Sequence, residues 1–195
     1  MRLTPFRASM FALAIGLVAA PLALYAPALI AQDQAAVEDP ATTRSNDGRV
    51  HPSGNLWIGT MGKRAEWQAG AIYWFDGAEL RPLFRKITIP NSICFAPDGR
   101  TAYFADTAVN TIWRVGVDAR TGLPSGEPEP FLHEKDLPLG GHFDGSVTDA
   151  DGVLWNAAWG GGSVSGYAPN GQPVRTYEVP AAQTSCPAFV GPGLD

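Results

Sequence analysis

Cysteine and histidine are scarce in this chain: 195 residues hold two Cys and three His. There is no CxxC pair and no His-rich motif, so a Cys/His zinc site of the usual spacing is excluded. Cys94 and Cys186 lie far apart, and we read them as buried apolar residues rather than as a disulfide or a metal pair. Runs of Lys or Arg are also missing, and the formal net charge is −5. A nucleic-acid partner needs a basic face to meet phosphate, so none is expected. After residue 50 no stretch repeats its apolar positions at helical spacing, which excludes a helix bundle.

Glycine and proline, in contrast, are abundant, at 22 and 17 residues. That composition suits many short strands joined by tight turns. Alternating or apolar runs at 55–61, 70–75, 78–84, 91–95, 101–105, 110–117, 144–148, 153–159, 163–167 and 174–179 read as strands. Turns such as His51-Pro52-Ser53-Gly54, Asp76-Gly77, Asp98-Gly99, Asp151-Gly152 and Asn170-Gly171 separate them. Residues 118–130 read as turn-rich. The chain is therefore all-β.

One spacing recurs. A small polar residue stands eight positions before a turn glycine in Asn46/Gly54, Asn91/Gly99, Asp144/Gly152 and Ser185/Gly193. The copies are 45, 53 and 41 residues apart, a period that fits one four-stranded blade of a β-propeller. Arranged about one axis, the four polar residues converge at one mouth of a central channel. Carboxylate and amide oxygens are hard ligands suited to Ca²⁺, Mg²⁺ or Mn²⁺. The plainer alternative is that each Asn or Asp only caps its turn. His142 stands two residues before Asp144 and reads as a base, a ligand or a loop hydrogen-bonder. His51 and His133 carry no signal. Trp57, Trp74, Trp113 and Trp155 fall within strand patterns and are expected in the core. Trp159, just before Gly160–Gly162, can reach the channel mouth.

The N-terminus is a different text. Arg2 and Arg7 precede an uncharged apolar run over 10–31, with Ala26-Pro27-Ala28 and Leu29-Ile30-Ala31 as cleavage candidates. A secretory signal, an uncleaved membrane anchor and a segment without a targeting role all stay open. Residues 1–31 are a signal-like or anchor-like leader, 32–43 a polar linker and 44–195 the repeat region. A true signal implies a periplasmic or secreted protein; otherwise it is cytoplasmic, with membrane contact only through an uncleaved leader.

The segments RSNDGRVHPSGNLWIGTMG, IPNSICFAPDGRTAYFADT, FDGSVTDADGVLWNAAWGGGSV and TSCPAF together resemble the gluconolactonase, regucalcin and senescence-marker-protein family over about residues 44–195. The resemblance implies a β-propeller of the six-bladed type, of which about three blades and the opening of a fourth are present here. It implies metal-dependent hydrolysis of a sugar lactone, gluconolactone or xylonolactone, to the aldonic acid. It also implies one divalent metal ion, Ca²⁺ first, with Zn²⁺, Mg²⁺ or Mn²⁺ as alternatives. On the matching motifs, Asn91 and Asp144 are metal ligands, Asp144 doubles as proton acceptor, and Arg44, Asn46 and Asp47 contact substrate. The family's N-terminal metal-binding Glu, in an E-G-P-x-W context, has no match; Glu38 is the nearest acid, in the context AVEDP. A non-catalytic calcium- or sugar-binding propeller and an inactive gene fragment are the alternatives. Open sheet edges imply self-association.

Overall fold

The computed structural model describes residues 38–190. Twelve strands form three four-stranded antiparallel sheets. The first contains β1 (Thr43–Val50), β2 (Leu56–Gly62), β3 (Gly70–Phe75) and β4 (Leu80–Ile87) in sequence order. The second contains β5 (Pro90–Phe95), β6 (Thr101–Asp106), β7 (Thr111–Gly116) and β8 (Glu129–His133). The third contains β9 (His142–Thr148), β10 (Leu154–Trp159), β11 (Ser163–Tyr167) and β12 (Pro173–Glu178). Helix among the described residues is limited to two three-residue 3₁₀ turns, Thr107–Val109 and Glu134–Asp136. No helix among them is long and apolar enough to cross a membrane. The leader read over 1–31 lies outside the described residues.

Each sheet is a meander, and the first strands β1, β5 and β9 lie side by side. This is the blade arrangement of a β-propeller, present as three blades. β8 begins at the end of the stretch read as turn-rich and was not read as a strand: its residues EPFLH show little alternation, and pairing with β7 makes it one. Thr43 and Glu38 sit in the stretch read as a linker. Thr43 opens β1, and the Glu38 Oε1 accepts hydrogen bonds from Thr60 Oγ1 (2.7 Å) and Tyr73 Oη (2.8 Å).

The alternation of the middle blade explains how the blades adhere. Ile93, Phe95, Ala102 and Phe104 point to a core shared with Trp57, Ile72 and Trp74 of the first blade. Their neighbours Cys94, Tyr103 and Ala105 point the other way, to a core shared with Phe143, Leu154 and Tyr167 of the third. A strand sandwiched on both faces reads as a continuous apolar run, as SICF does. Phe104 stacks between Phe84 (4.6 Å) and Trp113 (5.7 Å).

A strap closes the far end. The β7–β8 connection lies under the first blade, where Trp57 Nε1 donates to the Gly122 carbonyl (2.9 Å). Trp74 Nε1 and Asn55 Nδ2 donate to the Thr121 carbonyl. His51, which carried no signal in the sequence, is buried here against Gly122, and its Nε2 lies 3.0 Å from the Gly99 carbonyl oxygen.

Candidate functional site

Each of the three inner strands carries a β-bulge at its polar repeat residue: Asn46 and Asp144 open theirs, and Asn91 is the paired residue just before its own. Asn46 and Asp47 lie between the paired residues Ser45 and Gly48 of β1. Ser92 and Ile93 lie between Asn91 and Cys94 of β5. Asp144 and Gly145 lie between Phe143 and Ser146 of β9. In every case two residues oppose one on the partner strand. A bulge re-aims side chains and releases backbone groups from the ladder. The released groups bond across to the next blade. Asp47 Oδ2 accepts from the Ile93 amide (2.8 Å), and Asn46 Nδ2 donates to the Pro90 carbonyl (2.9 Å) and to Asn91 Oδ1 (3.0 Å). Ser92 Oγ donates to the Asp144 carbonyl, and the Gly145 amide donates to the Ser185 carbonyl (2.6 Å). Ser185, the fourth member of the repeat, thus lies beside Asp144 although its segment forms no regular strand; Gly193 lies outside the described residues.

The bulges open on one cleft of about 470 Å³. Arg44, Asn46, Asp47, Asn91, Thr107 and Asp144 supply its polar lining. Met61, Ile89 and Trp159 supply an apolar wall, and Ser185 and Cys186 complete it. Trp159 is 39% exposed here. All five sequence-selected site residues therefore meet in one place. His142 is exposed on β9, outside the lining. Glu38 is also outside it, held by Thr60 and Tyr73. Cys186 corrects an expectation: it is exposed at the cleft, whereas Cys94 is buried as expected, and both thiols are free. It lies in the irregular segment after β12, beside Gly145 of the β9 bulge.

The polar groups are held firmly. Arg44 Nη1 donates to Asn46 Oδ1 (2.9 Å). Asn91 is 7% exposed, and its Nδ2 donates to Thr107 Oγ1 (2.8 Å). Asp47 Oδ1 also accepts from the Gly48 amide (2.7 Å). Burial raises the Asp47 carboxyl above the ordinary range, against the lowering effect of the two amides and of Arg49. Burial, and then the charge of Asp47, push the Asp144 carboxyl up to about 6, while the Gly145 amide opposes them. Two carboxylates desolvated by burial, the charge of Asp47 raising the proton affinity of Asp144, stand among amide oxygens and make a hard-oxygen donor set. These residues fit a divalent cation. No set of three or more His, Cys, Asp or Glu side chains gathers closely enough to hold a metal among the described residues. Any such ion would rest on Asp144 and on amide oxygens.

Sequence reasoning passed over Asn156. It is fully buried on β10, directly beneath the Asp144 bulge. Its only signal was one polar residue inside the apolar strand LWNAAW.

Fold and cleft together define a β-propeller whose inner strands gather polar groups at one channel mouth. The chain belongs to the family described as SMP-30/Gluconolactonase/LRE-like region, which matches residues 18–195. A Rhizobium meliloti (strain 1021) protein that carries the name of a sugar lactone lactonase is 55% identical over 157 residues, which cover 80% of this chain and 53% of that one. The L-arabinolactonase of Azospirillum brasilense is 40% identical over 162 residues, covering 80% and 52%. The crystal structure of a calcium-binding protein, regucalcin, from Agrobacterium tumefaciens str. C58 superposes with a TM-score of 0.76 at 54% identity, covering 80% of this chain and 52% of that chain. The chain spans about half the length of the curated relatives it matches.

Proposed function

We propose that the cleft binds a sugar lactone and hydrolyses it to the aldonic acid with the help of one divalent cation. The observation that carries this reading is the convergence of Arg44, Asn46, Asp47, Asn91 and Asp144 in one cleft on a chain whose relatives are named for sugar lactones. Asn91 Oδ1 and the Asp144 carboxylate are the groups that would hold the cation, Ca²⁺ first among Ca²⁺, Mg²⁺, Mn²⁺ and Zn²⁺. When bound, it supplies the positive charge that polarises the lactone carbonyl. Arg44 and Asn46, already bonded to each other, orient the ring hydroxyls. Asp47 lines the cleft beside them, its carboxyl oxygens held in place by two amides. The Asp144 carboxylate, which lines the cleft, takes the proton of the attacking water. Met61, Ile89 and Trp159 shield the opposite wall.

The test is hydrolysis of gluconolactone, xylonolactone and arabinonolactone by the full chain, followed by acid release with each cation in turn. Asp144→Asn is expected to slow turnover at least about 100-fold, the scale of a lost acid–base group. An unchanged rate refutes the assignment. Calcium binding with no turnover of any lactone supports instead a non-catalytic cation-binding propeller, the reading favoured by the structural relative titled a calcium-binding protein.

A further inference from the structure

Asn156 has no place in the cleft, yet it touches the bulges that carry both candidate ligands. Its side chain is 0% exposed. Its Nδ2 lies 3.0 Å from Ser146 Oγ, 3.1 Å from Ser92 Oγ, 3.1 Å from the Asp144 carbonyl oxygen and 3.4 Å from the Gly145 carbonyl oxygen. The two carbonyls need a donor, which fixes the amide with its nitrogen toward them. Its Oδ1 has no partner. A buried amide oxygen left unsatisfied is unfavourable, and an apolar residue of similar size would avoid it. The residue makes physical sense only through what its nitrogen holds.

What it holds is a pair of bulges, the β5 one strained. Ser92, next to Asn91, is completely buried with φ of 55°, a left-handed backbone that a non-glycine residue adopts at a cost. Its Oγ accepts from Asn156 Nδ2 and Ser146 Oγ and donates to the Asp144 carbonyl. The Ser92 conformation sets the direction of Asn91. The Asp144 and Gly145 carbonyls set that of Asp144. One NH₂ group on β10 serves all of them.

We infer that Asn156 is a positioning residue: through Ser92, Ser146 and the Asp144–Gly145 carbonyls it fixes the relative placement of Asn91 and Asp144. Its consequence for turnover rests on the lactonase reading; its consequence for geometry does not. The experiment compares the full chain with Asn156→Val, which fills the space without a donor, and Asn156→Thr, which keeps one hydroxyl donor. Melting temperature, the side-chain amide NMR signals of Asn91 and lactone kinetics are recorded for each. In the parent, Asn91 is pinned at both ends by Asn46 and Thr107, so a single sharp pair of signals is expected.

Asn156→Val is expected to melt cooperatively within a few degrees of the parent while the Asn91 signals shift or broaden. Its kcat is expected to fall 10- to 100-fold, with KM changed less than threefold. Asn156→Thr should lie between. Asn91 signals and kcat identical to the parent in folded Asn156→Val overturn the inference. Should Asn156→Val not fold, Ser92→Gly decides, because glycine accepts a φ of 55° and removes the same link from its other end. An Asn91 environment unchanged in Ser92→Gly overturns the inference equally. Should the parent hydrolyse no lactone, the functional reading fails by itself, and the NMR comparison still decides the role of Asn156.

Discussion

A phenol buried beside a carboxylate resists ionisation, and two tyrosines of this chain show it. Burial, and then the hydrogen bond to Glu38, push Tyr73 up to about 12. Burial pushes Tyr167 up to about 12, and its Oη donates to the Asp136 carbonyl (3.0 Å). The folded state therefore favours the neutral phenol. That stability is fully present below about pH 10, the ordinary value, and is lost as pH rises from there through about 12. Phenolate absorbance of Tyr73 and Tyr167 is expected to appear late and together with alkaline unfolding, and Tyr73→Phe should move the unfolding midpoint upward. Early ionisation of both in the still-folded protein would contradict this. Burial likewise pushes the Cys94 thiol up, so that a neutral-pH alkylating agent should modify exposed Cys186 and leave Cys94 to the unfolded chain.

Among the elements, the β9 bulge has no room for a side chain at Gly145. A Cβ on Gly145 would stand 2.7 Å from the Ser185 carbonyl oxygen and 2.7 Å from both Cβ and Sγ of Cys186. Gly145→Ala is expected to destabilise by about 1–3 kcal/mol, as overpacking does, and to lift the Ser185–Cys186 segment off β9. A lower melting temperature with faster alkylation of Cys186 would be the signature; an unchanged labelling rate would mean that the segment was never anchored there. The bulges also show what a sequence can reveal. Asn46, Asn91 and Asp144 were legible because each precedes a glycine turn by a fixed count, which in the fold places each of them in a bulge or next to one. The bulges themselves were not legible, since two residues opposing one is a property of the partner strand. The role of Asn156 was missed for that reason: its nitrogen meets the β9 bulge of its own blade and, 64 residues away in sequence, Ser92 of the next, a pairing no local pattern encodes. β8 was missed because Pro and Glu in EPFLH hide a strand that exists only as the edge partner of β7.

At the scale of the whole molecule, the middle blade is shared property. Its strands give alternate side chains to two cores, so neither neighbour keeps a complete core once that blade opens. Denaturant unfolding should therefore be a single transition. Phe104→Ala, which removes the ring stacked between Phe84 and Trp113, is expected to cost about 3–5 kcal/mol without splitting that transition. Two resolved steps by fluorescence and circular dichroism would show that the blades unfold independently. The repeat carried the count of three blades and the polar mouth, while β1 and β8 were not among the strands read from the sequence.

The strap under the first blade has a practical consequence for anyone cutting or extending this chain. Its Pro- and Gly-rich sequence looks like a natural place to insert a tag, yet two indoles and the Asn55 amide are bonded to the Thr121 and Gly122 carbonyls, and the buried His51 ring packs against Gly122. An epitope spliced there would unhook the blade at its base. The turn at Asp76-Gly77, where a glycine Cβ would meet nothing within 4 Å, is the better graft point: a label placed there would leave both the cleft and the strap untouched.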